Sequence, residues 1–217
     1  MQIERIYYPL KTLGWGTRAG IWTVGCSHAC EGCCNPELWK KNPLREISLQ
    51  RLFQMLSSLP KPLDGITISG GEPFDQAEDL LALVLFIKEH LTDELLIYSG
   101  YTLKQLQAKE SESIQEVLQQ ISVLVDGRYV EALNDNGALR GSSNQHVHFL
   151  NGAHKDKYET LLQQPRQGQH VFYQENLSSS SSSNHALFLG IPPKSYQNEL
   201  QSQMNQRGII HGTPTIS

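Results

Sequence analysis

Between residues 20 and 126 the chain alternates short β-branched apolar runs with amphipathic helical stretches, and this alternation restricts the fold more than any other feature. Gly20 to Val24, Ile66 to Ser69, Leu95 to Tyr98 and Val123 to Val125 read as strands. Leu49, Leu52, Phe53 and Leu56 recur at helical spacing behind Ser48 as a cap, and Pro60 and Pro62 stop the pattern. Leu80, Leu81, Val84 and Ile87 mark a second helix, and Leu103, Leu106, Ile114, Val117 and Leu118 a weaker third. Strands joined by helices pair in parallel through crossovers, which gives an α/β class with an open sheet or partial barrel. In such folds, functional sites gather at the C-terminal ends of the strands.

The residues that carry chemistry fall at those ends. Cys26, Cys30, Cys33 and Cys34 lie within nine residues, just after the first strand, so no pairing among them closes a loop long enough to staple a domain. Cys26, Cys30 and Cys33 are spaced C-x3-C-x2-C on a tight loop, a set of thiolates suited to an iron-sulfur cluster or zinc. Three protein ligands leave one position of a cubane open for chemistry. The competing reading is structural zinc, with His28 or Cys34 as a fourth ligand, although no second C-x2-C pair is present. Cys34 otherwise reads as a packing residue and His28 as an exposed loop histidine. Ser69-Gly70-Gly71-Glu72-Pro73 ends the second strand, and its glycines let backbone approach a ligand closely while Glu72 suits an ammonium group. A phosphate-binding reading of this turn fails because the Lys and Ser/Thr of a P-loop are missing.

With the cysteine triplet and the Gly-Gly-Glu-Pro turn in this order, the chain resembles the radical S-adenosylmethionine (SAM) superfamily. A narrower resemblance, over roughly residues 14 to 150, is to the activating enzymes of the anaerobic ribonucleotide reductase type. It rests on Gly25 to Cys33, Ser99-Gly100-Tyr101-Thr102, Val125-Asp126-Gly127-Arg128 and Arg140-Gly141-Ser142-Ser143-Asn144-Gln145. The resemblance implies a partial (β/α) barrel of parallel strands. It also implies that Cys26, Cys30 and Cys33 hold a [4Fe-4S] cluster, with Ser69, Gly70, Gly71 and Glu72 at the methionine end of SAM and Ser99 and Gly100 beside it. Asp126 would bind ribose, a cation or a substrate backbone, or else serve only its Asp-Gly turn. Asn144 and Gln145 are pocket candidates, and Arg140 could pair with a carboxylate.

The implied reaction is reductive cleavage of SAM to a 5'-deoxyadenosyl radical that generates a glycyl radical on a partner enzyme, fed by a one-electron donor such as flavodoxin or ferredoxin. The rivals are radical modification of another peptide or small molecule, and a non-catalytic zinc or Fe-S interaction module. A net charge of -4 with no basic run argues against phosphate-driven nucleic-acid binding. The longest apolar run, Leu80 to Ile87, falls short of the ~20 residues that span a bilayer, and no leader-like N-terminus is evident, so a cytoplasmic protein is expected. Residues 1–150 are expected to form the core domain and 151–217 a C-terminal extension. Ser178 to Ser183 would be a flexible linker in that extension, ahead of a fold-back strand at Ala186 to Ile191 and a helix carrying Tyr196, Leu200 and Met204.

Overall fold

The computed structural model describes residues 1–166, 168–175, 183–193 and 202, with backbone only for 170–175 and 183–187. The four expected strands are present as β2 (Arg18–Thr23), β3 (Gly65–Gly70), β4 (Leu95–Tyr98) and β5 (Val123–Asp126). They pair in parallel, and β1 (Ile3–Leu10) and β6 (His146–Phe149) add antiparallel edges to give the order β1-β2-β3-β4-β5-β6. Register is set so that Thr23 faces Gly70 and Tyr98 faces Val125, which brings the C-terminal ends of the parallel strands to one edge.

Alternation along the strands gives each face its own partner. Ile21, Ile66, Ile68, Ile97 and Leu124 pack against α1 (Leu49–Ser57), α2 (Ala77–His90) and α4 (Glu112–Gln120), through Leu52, Leu56, Leu80, Leu83, Val84, Ile87, Ile114 and Val117. Each fully buried Leu or Ile of this layer contributes about 1.5–3 kcal/mol. Ser48 caps α1 by accepting from Arg51 N at 3.3 Å, as its position predicts. The expected third helix is instead two. A Thr102–Gln105 capping box starts α3 (Leu103–Gln107), and Ser111 starts α4 by accepting from Ile114 N at 3.4 Å. Each cap satisfies a separate set of free N–H groups, which allows the chain to turn between the helices.

The opposite face is covered by loops and by the C-terminal part of the chain. Tyr158, on α5 (Lys155–Leu162), is fully buried with Leu96, Val123, Val125 and Leu139. Leu189, on β8 (Ser183–Gly190), is buried with Leu10, Leu13, Trp22, Val24 and Leu38. The expected strand at 186–191 is the second half of β8, which forms an antiparallel hairpin with the unexpected β7 (Gly168–Glu175). Ser183 already belongs to β8, so the serine run is not linker to its end; Ser178 to Ser182 and the expected helix around Tyr196, Leu200 and Met204 lie outside the described residues. Among the described residues no helix is long and apolar enough to cross a membrane.

Candidate functional site

At the end of β2 the chain enters a loop through Gly25, whose φ of +98° falls in the region that favours glycine. Two backbone bonds, Gly25 N to Leu38 O at 2.8 Å and Cys26 N to Trp39 O at 2.9 Å, tie the start of the loop to its return segment. Within it, Cys33 N donates to Cys30 O at 3.2 Å, closing a turn that includes Gly32 at φ +71°. Cys26, Cys30 and Cys33 are half-buried free thiols. Burial pushes the Cys26 thiol up. Cys33 is pulled down to about 6, first by a hydrogen bond from the Cys34 thiol and also by the Asn35 N–H, which donates to its sulfur at 3.4 Å.

Among the described residues no group of three His, Cys, Asp or Glu side chains is gathered to hold one metal ion. A cubane takes each thiolate on a different iron, so three separate free thiols on one loop fit a cluster better than a single zinc. The suggested fourth zinc ligands do not join them. His28 turns toward Glu72 instead, and Cys34 is exposed with its sulfur 3.4 Å from Asn35 Oδ1, which also corrects its reading as a packing residue.

The glycine-rich turn lies directly against this loop. Gly71 N donates to Thr23 O at 2.8 Å and Glu72 N to Gly25 O at 2.7 Å. A Cβ on Gly70, at φ +105°, would stand 2.4 Å from Thr23 N, and one on Gly71 would stand 2.2 Å from Gly25 O. Both glycines are therefore required by the close approach of two backbones. Ser69, partly buried, accepts from Thr23 Oγ1 through its carbonyl at 3.1 Å.

Glu72 is not an open carboxylate awaiting a ligand. It is 1% exposed and accepts from Phe74 N at 3.1 Å, Ser99 Oγ at 2.9 Å and Gly100 N at 2.7 Å, joining the end of β3 to the end of β4. Asp126 is likewise buried and occupied, accepting from Leu103 N at 2.6 Å and His146 N at 3.2 Å, with His148 Nε2 2.9 Å away. It caps α3 and holds β6. Gln145 clasps its own loop, accepting from Gly141 N and Ser142 N and donating to Gly127 O. Arg140 pairs with the carboxylate of its near neighbour Asp135 at 2.7 Å. Asn144 donates to Arg128 O at 2.9 Å, while its Oδ1 is buried without a hydrogen-bond partner, an acceptor suited to an incoming donor.

Four residues at this edge were given no role by the sequence pattern, or a different one. His28, read as exposed, has a side chain only 11% exposed, with Nε2 3.4 Å from Glu72 Oε2. Asp75 accepts from Ser27 N at 2.9 Å and Tyr101 OH at 2.9 Å. Arg128 Nη2 donates to His28 O at 2.7 Å. Tyr101 and Arg128 stand inside quoted motifs, which is the only signal the sequence offered for them.

The family described as the 4Fe-4S single cluster domain matches residues 12–148. The anaerobic ribonucleoside-triphosphate reductase-activating protein of Escherichia coli K12 is 35% identical over 152 residues, covering 66% of this chain and 96% of that protein. The protein of the same name from Salmonella typhi is 36% identical over 152 residues, with the same coverage. That of enterobacteria phage T4 is 28% identical over 151 residues, covering 68% of this chain and 93% of the phage protein.

Proposed function

Because the chain belongs to the 4Fe-4S single cluster domain family, with anaerobic ribonucleoside-triphosphate reductase-activating proteins among its relatives, we propose that it is a radical SAM activating enzyme acting on a glycyl radical partner. The observation that carries this reading is the three-thiol loop at the end of β2, joined backbone to backbone with the Gly70-Gly71-Glu72 turn. In this reading residues 1–150 are the core, a partial (β/α) barrel of the radical SAM type, and 151–217 are a C-terminal extension.

Cys26, Cys30 and Cys33 would hold a [4Fe-4S] cluster, and SAM would lie beside it against Ser69 to Glu72, Ser99 and Gly100. When bound, the cluster would supply the one electron, and SAM the 5'-deoxyadenosyl group, with which a hydrogen atom could be taken from a glycine of the partner. The chain's own part is to orient and exclude. The two glycines let the turn close on the backbone of the cysteine loop, and the Glu72 bonds to Ser99 and Gly100 fix the separation of the two strand ends. The free Asn144 Oδ1 offers an acceptor to an ammonium or hydroxyl group. Asp126 shapes the wall indirectly, by capping α3. The electron would come from a small donor such as flavodoxin or ferredoxin.

The test is anaerobic reconstitution with iron and sulfide, followed by dithionite and SAM, with 5'-deoxyadenosine quantified against Cys30→Ala. Product that depends on Cys30 is expected. A sample with a verified [4Fe-4S] cluster that makes none, even with an anaerobic ribonucleotide reductase present, overturns the reading.

A further inference from the structure

The arm between Cys26 and Cys30 is held from three sides by residues outside the cysteine motif. Its second residue, Ser27, is fixed by Asp75, whose carboxylate accepts from Ser27 N at 2.9 Å and from Ser27 Oγ at 3.3 Å. The Tyr101 hydroxyl joins that carboxylate at 2.9 Å and lies 3.2 Å from Ser27 Oγ. Its third residue, His28, is held by its carbonyl, which accepts from Arg128 Nη2 at 2.7 Å.

The His28 ring then inserts between the ends of β3 and β4. It meets the Tyr101 ring edge-on, with centroids 4.4 Å apart at 69°, and its Nε2 faces the Glu72 carboxylate at 3.4 Å. Beneath it lies Gly100, where an added Cβ would stand 2.3 Å from His28 Cδ2. The Gly100 N–H is meanwhile committed to Glu72 at 2.7 Å. The ring therefore touches, at once, the carboxylate that joins β3 to β4 and the glycine just after β4. Both belong to the wall assigned above to SAM.

We propose that His28 is a positioning residue whose ring, wedged between Glu72 and Tyr101 over Gly100, keys the Cys26–Cys30 arm to the strand ends that receive SAM. Cluster arm and SAM wall are thereby assembled as one unit by an imidazole that need not ligate either cofactor. This rests on the radical SAM reading. Residues that orient a metal ligand from outside its coordination shell typically matter by about 10–100-fold when removed, which sets the size of the expected effect.

The experiment compares wild-type full-length protein with His28→Ala after anaerobic reconstitution, following three readouts: iron per chain, the electron paramagnetic resonance spectrum of the reduced cluster, and its change on titration with SAM. His28→Ala is expected to retain wild-type iron content while needing at least about tenfold more SAM for the spectral change. Gly100→Ala, which evicts the ring by steric overlap, is expected to show the same phenotype with His28 intact. A wild-type SAM response in His28→Ala overturns the inference. So does a His28→Ala protein with a native circular dichroism spectrum that takes up no iron, since the residue would then serve cluster retention itself. Failure of the wild-type protein to form a cluster or respond to SAM overturns the underlying reading instead, so the two failures are distinguishable.

Discussion

The two ends of the parallel sheet are built on opposite principles. At the N-terminal end, the fully buried Arg18 gives Nε to Thr67 Oγ1 at 2.7 Å, Nη2 to Ile66 O at 2.9 Å and Nη1 to Trp15 O at 3.2 Å, and it pairs with the buried Glu94. Tyr158 of α5 donates to the other Glu94 oxygen, and Gly65 leaves the room both charges need, since a Cβ there would overlap Glu94 and Arg18. The C-terminal end carries glycines at positive φ, half-buried free thiols and a buried acceptor without a partner. One end has its buried charges matched within the chain, and the other keeps donors and acceptors in reserve. A fold that concentrates its matched charges below the sheet can leave the upper loops available for ligands.

The largest expected effect breaks the closed end. Glu94→Gln leaves Arg18 buried without its counter-charge and is expected to lower unfolding stability by about 3–5 kcal/mol, read from the urea midpoint of the apo-protein. The double variant Arg18→Met/Glu94→Leu is expected to recover most of that loss, because no buried charge remains to be compensated. A single variant as stable as the wild type would mean that the pair does not organise this end.

A smaller effect is expected from the tail. Leu189→Ala empties a site packed among Trp22, Val24 and Leu38, and a loss of about 2 kcal/mol, near the lower bound for a buried leucine, should appear in the same urea experiment. Smaller still is the cost of cutting into the open end. Cys30→Ala removes a half-buried thiol that holds nothing in the apo-protein, so stability is expected to stay within about 0.5 kcal/mol of wild type while cluster uptake is lost. A large destabilisation by Cys30→Ala would erase the contrast between the two ends.

The contrast also explains which parts of the structure the sequence revealed. The open end was legible because its chemistry is local: cysteine spacing, a glycine pair after a strand, and Asp-Gly closing another. The parallel strands were legible from continuous apolar runs. The edge strands were not, because Ile3–Leu10 carries charges and a proline and His146–Phe149 carries two histidines, and each needs only one partner and one buried side. The closed end was unreadable for a different reason. Arg18 opens a strand as an ordinary surface arginine would, and the residues that bury it, Glu94 and Tyr158, stand 76 and 140 positions away. Glu72 was expected to meet an ammonium group, and Asp126 to bind a ligand or serve only its Asp-Gly turn, since nothing in their motifs shows that neighbouring N–H groups already occupy them. His28 failed similarly, its burial depending on the absence of a side chain at Gly100.

The smallest effect to test lies within the open end itself, where the thiols differ. Cys33 titrates at about 6, with the Cys34 hydrogen bond as the first cause, whereas burial raises Cys26. A thiol depressed in the folded state favours folding fully above its unfolded value near 8.5, and that contribution is lost as pH falls through about 6. At pH 7 Cys33 is therefore mostly thiolate and Cys26 mostly thiol. Timed iodoacetamide labelling of the apo-protein, read by peptide mass spectrometry, is expected to modify Cys33 before Cys26, with the Cys33 rate rising through pH 6. Cys34→Ala should move that rise toward higher pH, because the strongest stabiliser of the thiolate is gone. Equal labelling of Cys26 and Cys33, or no change in Cys34→Ala, would remove any role for Cys34 in the loop. In the reading proposed above, in which Cys33 would be a cluster ligand, the expected result would make Cys34 the residue that readies that thiol in its metal-binding form, reducing the protons that must leave when iron arrives.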